Sequence, residues 1–307
     1  MSALTVKVDI EKYEELKAFY LEHKVEDGNE YLEFRSRYND VLVSFYTSNK
    51  TKRTIIFDGD KALEELSRWG LEPIIREKKS TIKTEWIDLD TQVGSDEVGV
   101  GDFLLPMIVV AAYVSKSQIK TLKNLGIDDS KKMTDEKILE IGPEVINKFS
   151  FSKLTLHNDK YNEMYLKNEN INSLKAKMHN RALSNMVAIH KDAKHVFVDQ
   201  FASKNLYYSY LDDKDEPIVK DIIFKTKGES YYPSVALASV VARYFFLLEK
   251  EKLSEKLGVE IPFGAGIKAD KTAKVLLEKL GIEEFTKLVK KNFKNYNKLL
   301  EEKNDLI

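Results

Sequence analysis

The 307 residues carry 49 Lys and Arg against 50 Asp and Glu, a formal net charge of −1. No overall field therefore draws a polyanion to the chain, and nucleic acid would have to be met by local basic patches or by metal ions bridging acids to phosphates. Cysteine is absent, which excludes disulfides, thiolate zinc sites and thiol nucleophiles. The composition, 43 % hydrophobic and 32 % charged, is that of a globular protein. The longest apolar stretch, residues 103–114, is about half of a membrane span. The N-terminus shows no basic-then-apolar leader, so a cytoplasmic protein without a membrane partner is expected.

In chain order, residues 4–8 alternate like a strand and residues 10–23 repeat apolar side chains at helical spacing. Strand-like runs follow at 30–38, 40–47 and 52–57, and Asp58-Gly59-Asp60 is expected to cap a short helix ending near Trp69 and Gly70. This predicts a small β-α-β-β-β-α domain over residues 1–70. Residues 71–91, with Pro73 and the run Arg76-Glu77-Lys78-Lys79, read as a linker. From residue 92 to 307 strands alternate with long helices. Strands are expected at 92–98, 103–114, 151–157, 194–201 and 219–226, and helices at 134–148, 171–190, 234–253 and beyond 270. The alternation indicates an α/β domain.

Four carboxylates stand among small or apolar residues, where an unpaired charge is costly. Asp96 and Glu97 lie in Gly94-Ser95-Asp96-Glu97-Val98-Gly99, Asp199 ends the apolar run His195-Val196-Phe197-Val198, and Glu229 sits between a strand and an Ala-rich helix. Strand ends in α/β sheets are common ligand sites. Clustered acids suit hard divalent cations such as Mg²⁺ or Mn²⁺, and a pair of these about 4 Å apart can drive phosphodiester hydrolysis. Adjacent residues of a regular strand point to opposite faces, so a twist or bulge between Gly94 and Gly99 is expected if Asp96 and Glu97 share a site. Taken singly, each acid also fits a salt-bridged or solvated residue.

The neighbouring motifs carry the reading further. Gly94-Ser95-Asp96-Glu97-Val98-Gly99-Val100-Gly101-Asp102, Asp129-Ser130-Lys131-Lys132, Lys177-Met178-His179-Asn180, Val198-Asp199-Gln200-Phe201, Lys227-Gly228-Glu229-Ser230 and Ile261-Pro262-Phe263-Gly264-Ala265-Gly266 occur in the order that resembles bacterial ribonuclease HIII, a type 2 ribonuclease H. The resemblance covers residues 90–290. It implies an RNase H-like catalytic domain with a mixed sheet flanked by helices, preceded by a TATA-binding-protein-like α+β domain that grips substrate. It also implies an endonuclease that cuts the RNA strand of RNA–DNA hybrids with two metal ions, leaving 3′-hydroxyl and 5′-phosphate ends. By motif, Asp96 would bridge both metals, Glu97 and Asp199 would complete one site, and Glu229 would hold the other. The backbone of Gly99, Val100 and Gly101 would read the RNA 2′-hydroxyl. Val100 stands where the family often has a small hydroxyl residue, and Leu105 where glycine is common.

Ser130 and Lys131 would approach the substrate phosphates and Asn180 would touch substrate, although a solvated lysine pair and a surface amide are the plainer alternatives. Arg35 and Arg37 share one strand face in the N-terminal domain and would meet the hybrid's backbone. The five histidines show no metal-ligand spacing, and neither Gly99-Val100-Gly101 nor Gly264-Ala265-Gly266 completes a nucleotide-binding fingerprint. The alternatives are ribonuclease HII-like excision of single ribonucleotides, a silent hybrid-binding protein, and a metal-dependent DNA nuclease. No protein partner is implied.

Overall fold

The computed structural model describes residues 3–27, 32–46, 52–74, 86–127, 133–167, 169–212 and 217–304. The chain divides into two compact units, residues 1–82 and 83–307.

In the first unit, β1 (Leu4–Val8) leads into α1 (Ile10–Leu21), whose first turn is capped by the Asp9 carboxylate accepting from the Lys12 N–H at 2.9 Å. There follow β2 (Lys24–Asp27), β3 (Leu32–Tyr38), β4 (Val41–Tyr46), β5 (Arg53–Asp58) and α2 (Ala62–Arg68). The sheet is antiparallel throughout, in the order β1-β5-β4-β3-β2. Val6, Phe34, Val43, Phe45, Ile55 and Phe57 turn inward onto Leu16 and Tyr20 of α1 and Leu66 of α2.

The order is thus β-α-β-β-β-β-α rather than the expected β-α-β-β-β-α. The added strand, β2, has every residue exposed and lacks the apolar alternation that marks a strand in sequence. The expected cap also gives way: β5 runs through Asp58, and α2 starts after Lys61 with no side-chain cap. Arg35 and Arg37 face away from α1, since Ser36 between them bonds the Tyr20 carbonyl. Arg35 pairs with Glu26 at 2.7 Å, and Arg37 is exposed.

The second unit is built on a five-stranded mixed sheet. Its central strand is β6 (Gln92–Val98), joined antiparallel to β7 (Met107–Val114), which pairs antiparallel with β8 (Phe151–Leu156). On the other side β9 (His195–Asp199) runs parallel to β6, and β10 (Ile222–Lys225) parallel to β9. The helices are α3 (Ile119–Asn124), α4 (Asp135–Lys148), α5 (Asn158–Leu166), α6 (Ile171–Ile189), α7 (Lys204–Ser209), α8 (Pro233–Leu257), α9 (Ile267–Leu288) and α10 (Lys294–Asn304). Among them α6 covers one sheet face and α8 the other. At Gly94 an added Cβ would lie 2.4 Å from Ser234 Oγ and 2.6 Å from the Val235 nitrogen, so only glycine lets the start of α8 approach β6.

Three short helices, α3, α5 and α7, were not foreseen, because six to nine residues give periodicity little room to show. The strand expected at 103–114 begins only at Met107, and Phe103, Leu104 and Leu105 form a buried loop instead. The predicted linker narrows at both ends. The Ile74 N–H bonds the Thr5 carbonyl, and Trp86 packs into the core of the second unit. Among the described residues no helix is long and apolar enough to cross a membrane.

Candidate active site

Two carboxylates leave the sheet together at the ends of its parallel strands. The β6–β9 ladder ends at the Ser95–Val198 pair, so Asp96 and Asp199 come next on neighbouring strands and share a face. That face is the one beneath α8: Gly94, two residues before Asp96, meets Ser234, and the Ser239 hydroxyl of α8 stands near the Asp96 carboxylate and favours its charged form. Asp96 also accepts from the Glu97 N–H at 2.8 Å. Asp199 accepts from the Gly228 N–H at 2.8 Å, which ties it to the 3-10 turn Gly228–Ser230 that carries Glu229. Lys227 enters this turn at φ 60°, a left-handed conformation rare outside glycine. Trp86 Nε1 and the Ile87 N–H hold the same turn through the carbonyls of Glu229 and Tyr231, at 3.3 and 3.0 Å.

Glu97 goes the other way. The β6–β7 register runs unbroken through Asp96–Val110, Glu97–Val109 and Val98–Ile108, so the expected bulge between Gly94 and Gly99 is absent. Glu97 points to the α6 face, where Lys175 closes an ion pair on it and His179 Nε2 lies 2.9 Å from its carboxylate. The other ring nitrogen of His179 meets Ser95 Oγ at 2.7 Å. Lys175 and His179 are both buried. They were missed in the sequence, although their i, i+4 spacing on a long helix puts them on one face.

The electrostatics follow from this arrangement. Burial, then the charges of Glu97 and Asp199, push the Asp96 carboxyl well above the usual carboxylate range. Asp199 is raised by burial, partly relieved by the Gly228 N–H and reinforced by the charges of Glu229 and Glu97. Burial also raises Glu97, but His179 and Lys175 outweigh it and hold that carboxyl low. Among the described residues no group of three or more acidic or histidine side chains converges closely enough to grip one ion. Glu97 leaves regular β6 on the face opposite Asp96, and its oxygens meet Lys175 and His179 there.

Beyond β6 the chain turns through Gly99, at φ 85°, where an added Cβ would meet the Pro106 carbonyl oxygen at 2.0 Å. Val100 packs against the cluster of Met107, Leu156, Tyr161 and Leu174, and Gly101 is exposed. The loop is closed by Asp102 Oδ1 accepting from the Gly264 N–H at 2.5 Å and by the Phe103 N–H donating to the Gly264 carbonyl at 3.1 Å. Leu105, at the position where the family commonly has glycine, is fully buried in the main core. A cavity of about 330 Å³ opens between β6, α4 and α8, lined by Glu97, Met133, Asp135, Ser239 and Arg243. Arg243 makes a two-pronged bond to Asp135 at 2.9 and 2.8 Å.

Asn180 does not reach a surface. It is buried, its Nδ2 donates to the Pro217 carbonyl and its Oδ1 accepts from the Val219 N–H, which braces the segment before β10. Ser130 and Lys131 lie outside the described residues.

Residues 93–296 match the family model described as ribonuclease HII, and residues 4–82 match one described as a domain of unknown function. Acids at the ends of a mixed β10-β9-β6-β7-β8 sheet, within that match, define a ribonuclease H hydrolase. Ribonuclease HIII of Bacillus cereus is 39 % identical over 277 residues, 87 % of this chain and 88 % of that protein. Ribonuclease HIII of Bacillus anthracis is 39 % identical over 275 residues, 86 % of this chain and 87 % of that protein. The crystal structure of Bst-RNase HIII in complex with Mn²⁺ is 30 % identical with a TM-score of 0.67, covering 98 % of each chain. The chain belongs to the ribonuclease HIII family. Its N-terminal five-stranded antiparallel sheet fits the TATA-binding-protein-like domain expected there.

Proposed function

We propose that this enzyme is an endonuclease that hydrolyses the RNA strand of RNA–DNA hybrids with two divalent cations, Mg²⁺ or Mn²⁺, leaving 3′-hydroxyl and 5′-phosphate ends. The observation that carries this reading is the exit of Asp96 and Asp199 side by side from neighbouring parallel strands, with Asp199 bonded to the turn that bears Glu229, where burial and mutual charge crowd the carboxylates. Such crowding disfavours the charged forms until cations neutralise them, and an all-oxygen donor set suits hard ions. The Mn²⁺ complex of Bst-RNase HIII supports the choice of ion.

Asp96, Glu97, Asp199 and Glu229 are the residues that would hold the metal. Divalent cations bound there supply Lewis acidity and neutralise charge on the scissile phosphate. Asp96 and Asp199 are fixed by strand register and by the Glu97 and Gly228 N–H groups, so these two donors stand ready without reorganisation. Glu97 is steered by Lys175 and His179. The backbone of Gly99, Val100 and Gly101 reads the ribose 2′-hydroxyl, and Arg35 and Arg37 on the open face of the N-terminal sheet meet the backbone of the hybrid.

The test is digestion of labelled RNA–DNA hybrid, DNA duplex and RNA duplex with Mg²⁺, Mn²⁺ or chelator. Cutting of the RNA strand of the hybrid, lost with chelator, is the expected result. Equal cutting of the DNA duplex would replace this reading with a DNA nuclease.

A further inference from the structure

Lys290, between α9 and α10, is fully buried. Its Nζ donates to the backbone carbonyls of Gly99 at 2.8 Å, Asp102 at 2.5 Å and Leu105 at 2.5 Å. An ammonium has three protons, and each has a carbonyl to meet. We propose that Lys290 is the positioning residue of the substrate-reading loop, its ammonium gathering residues 99–105 into the shape that presents the backbone at Val100 and Gly101 to the RNA strand. The inference rests on the reading above, in which that loop meets the 2′-hydroxyl.

Lysine is almost never fully buried unless it is partnered, because desolvating the charge is costly. Burial pushes this amine down to about 7, against the charge of Asp102. The three carbonyls favour the charged form and offset that cost. Around it lie the rings of Tyr161 and Phe293, whose centroids are 5.7 and 5.9 Å from Nζ. An apolar side chain in the same place would leave the Gly99, Asp102 and Leu105 carbonyls without this donor.

The lysine is itself held from two sides. The Lys290 N–H donates to the Phe103 carbonyl at 3.0 Å, on the loop. From α5, Asn158 Nδ2 donates to the Leu288 carbonyl at 2.6 Å and Asn162 Nδ2 to the Val289 carbonyl at 2.8 Å, while Asn162 Oδ1 accepts from the Lys291 N–H at 3.0 Å. Helix α5 thus clamps the segment that bears Lys290, and Lys290 clamps the loop. With the carbonyls of Gly99, Asp102 and Leu105 drawn to one ammonium and the Val100 side chain packed inward against Met107, Leu156, Tyr161 and Leu174, Gly101 is left as the exposed point of the loop. The acids are fixed separately by the β6–β7 register, which continues to the Val98–Ile108 pair. Loosening the loop should therefore weaken substrate recognition more than the chemical step.

The experiment compares wild-type enzyme with Lys290→Met, which keeps the length and removes the charge, on RNA–DNA hybrid and DNA duplex. Thermal melting and amide exchange of residues 99–105 are measured alongside. In the folded variant, KM for hybrid should rise by about tenfold or more with kcat changed by less than about threefold, as misplacement of a recognition element predicts. Amide exchange in residues 99–105 should be faster. An unchanged KM, or a loss confined to kcat, would overturn the proposal. If Lys290→Met does not fold, Asn162→Ala decides: it should raise KM in the same direction, and an unchanged KM would overturn the proposal instead. A wild-type enzyme that shows no preference for hybrid would refute the functional reading itself, independently of Lys290.

Discussion

Asp199 stands one residue past the last β6–β9 pair, level with Asp96, so that two buried or half-buried carboxylates emerge side by side beneath α8. Burial and mutual charge raise both.

For Asp96→Asn the sign of the stability effect follows directly. An acid raised on folding binds its proton more tightly in the native state, so its contribution is greatest below the ordinary carboxylate pKa and is lost as pH rises through the raised value. With chelator present, Asp96→Asn should therefore raise Tm over wild type, and by more at about pH 8 than at about pH 5. Saturating Mg²⁺ or Mn²⁺ should shrink the difference. Calorimetry at the two pH values checks this; a gain that is larger at the lower pH would contradict it.

The same substitution, and Asp199→Asn, should lower hybrid cleavage by at least about a hundredfold while leaving hybrid binding largely intact. Single-turnover cleavage beside an equilibrium binding assay separates the two. Activity above about a tenth of wild type in either variant would remove that acid from the metal site.

Lys175 occupies the Glu97 carboxylate. A cation taking Glu97 as a ligand competes with this ammonium and is repelled by it. Lys175→Met should therefore lower the Mn²⁺ concentration needed for half-maximal activity, even if the maximal rate falls. A Mn²⁺ titration of activity reads this, and a higher requirement would mean that Lys175 assists rather than opposes metal entry.

Residues 1–82 form a unit with its own core. A chain of residues 83–307 should stay folded, bind hybrid more weakly and show a shallower dependence on salt, because fewer phosphates are contacted. Binding isotherms across a salt series measure both. Equal affinity and equal slope would deny the N-terminal sheet a part in gripping substrate.

By the resemblance, Phe263-Gly264-Ala265-Gly266 stands where ribonuclease HII-like enzymes would carry a tyrosine-bearing stretch that reads an RNA-to-DNA junction. Phe263 has no hydroxyl, and it lies under the Arg243 guanidinium at 4.4 Å. The enzyme should cut at several positions within a continuous RNA stretch and should cut a single embedded ribonucleotide poorly. Side-by-side digestion at equal enzyme concentration tests this; similar rates on both would favour junction recognition.

By itself the sequence determined the strands that carry Asp96, Glu97 and Asp199. An apolar run ending in Asp199, a strand bearing Asp96 and Glu97, and long helices expected at 171–190 and 234–253 were legible from local composition and spacing. Tertiary structure decided what those residues face. Asp96 and Glu97 part to opposite sides because β6 is regular, and Glu97 meets Lys175 and His179 only because α6 is laid across that face. Asn180, which a motif alone would send to substrate, is buried beside a loop 37 residues further on. Lys290 is the clearest case. It sits in a lysine-rich tail beside Lys287, Lys291 and Lys294, and side-chain chemistry cannot distinguish it from its neighbours. Its partners are backbone carbonyls 185 to 191 residues earlier, and any residue has a carbonyl. Local pattern records which side chains a segment carries; it holds no trace of a distant backbone group that one of them will meet.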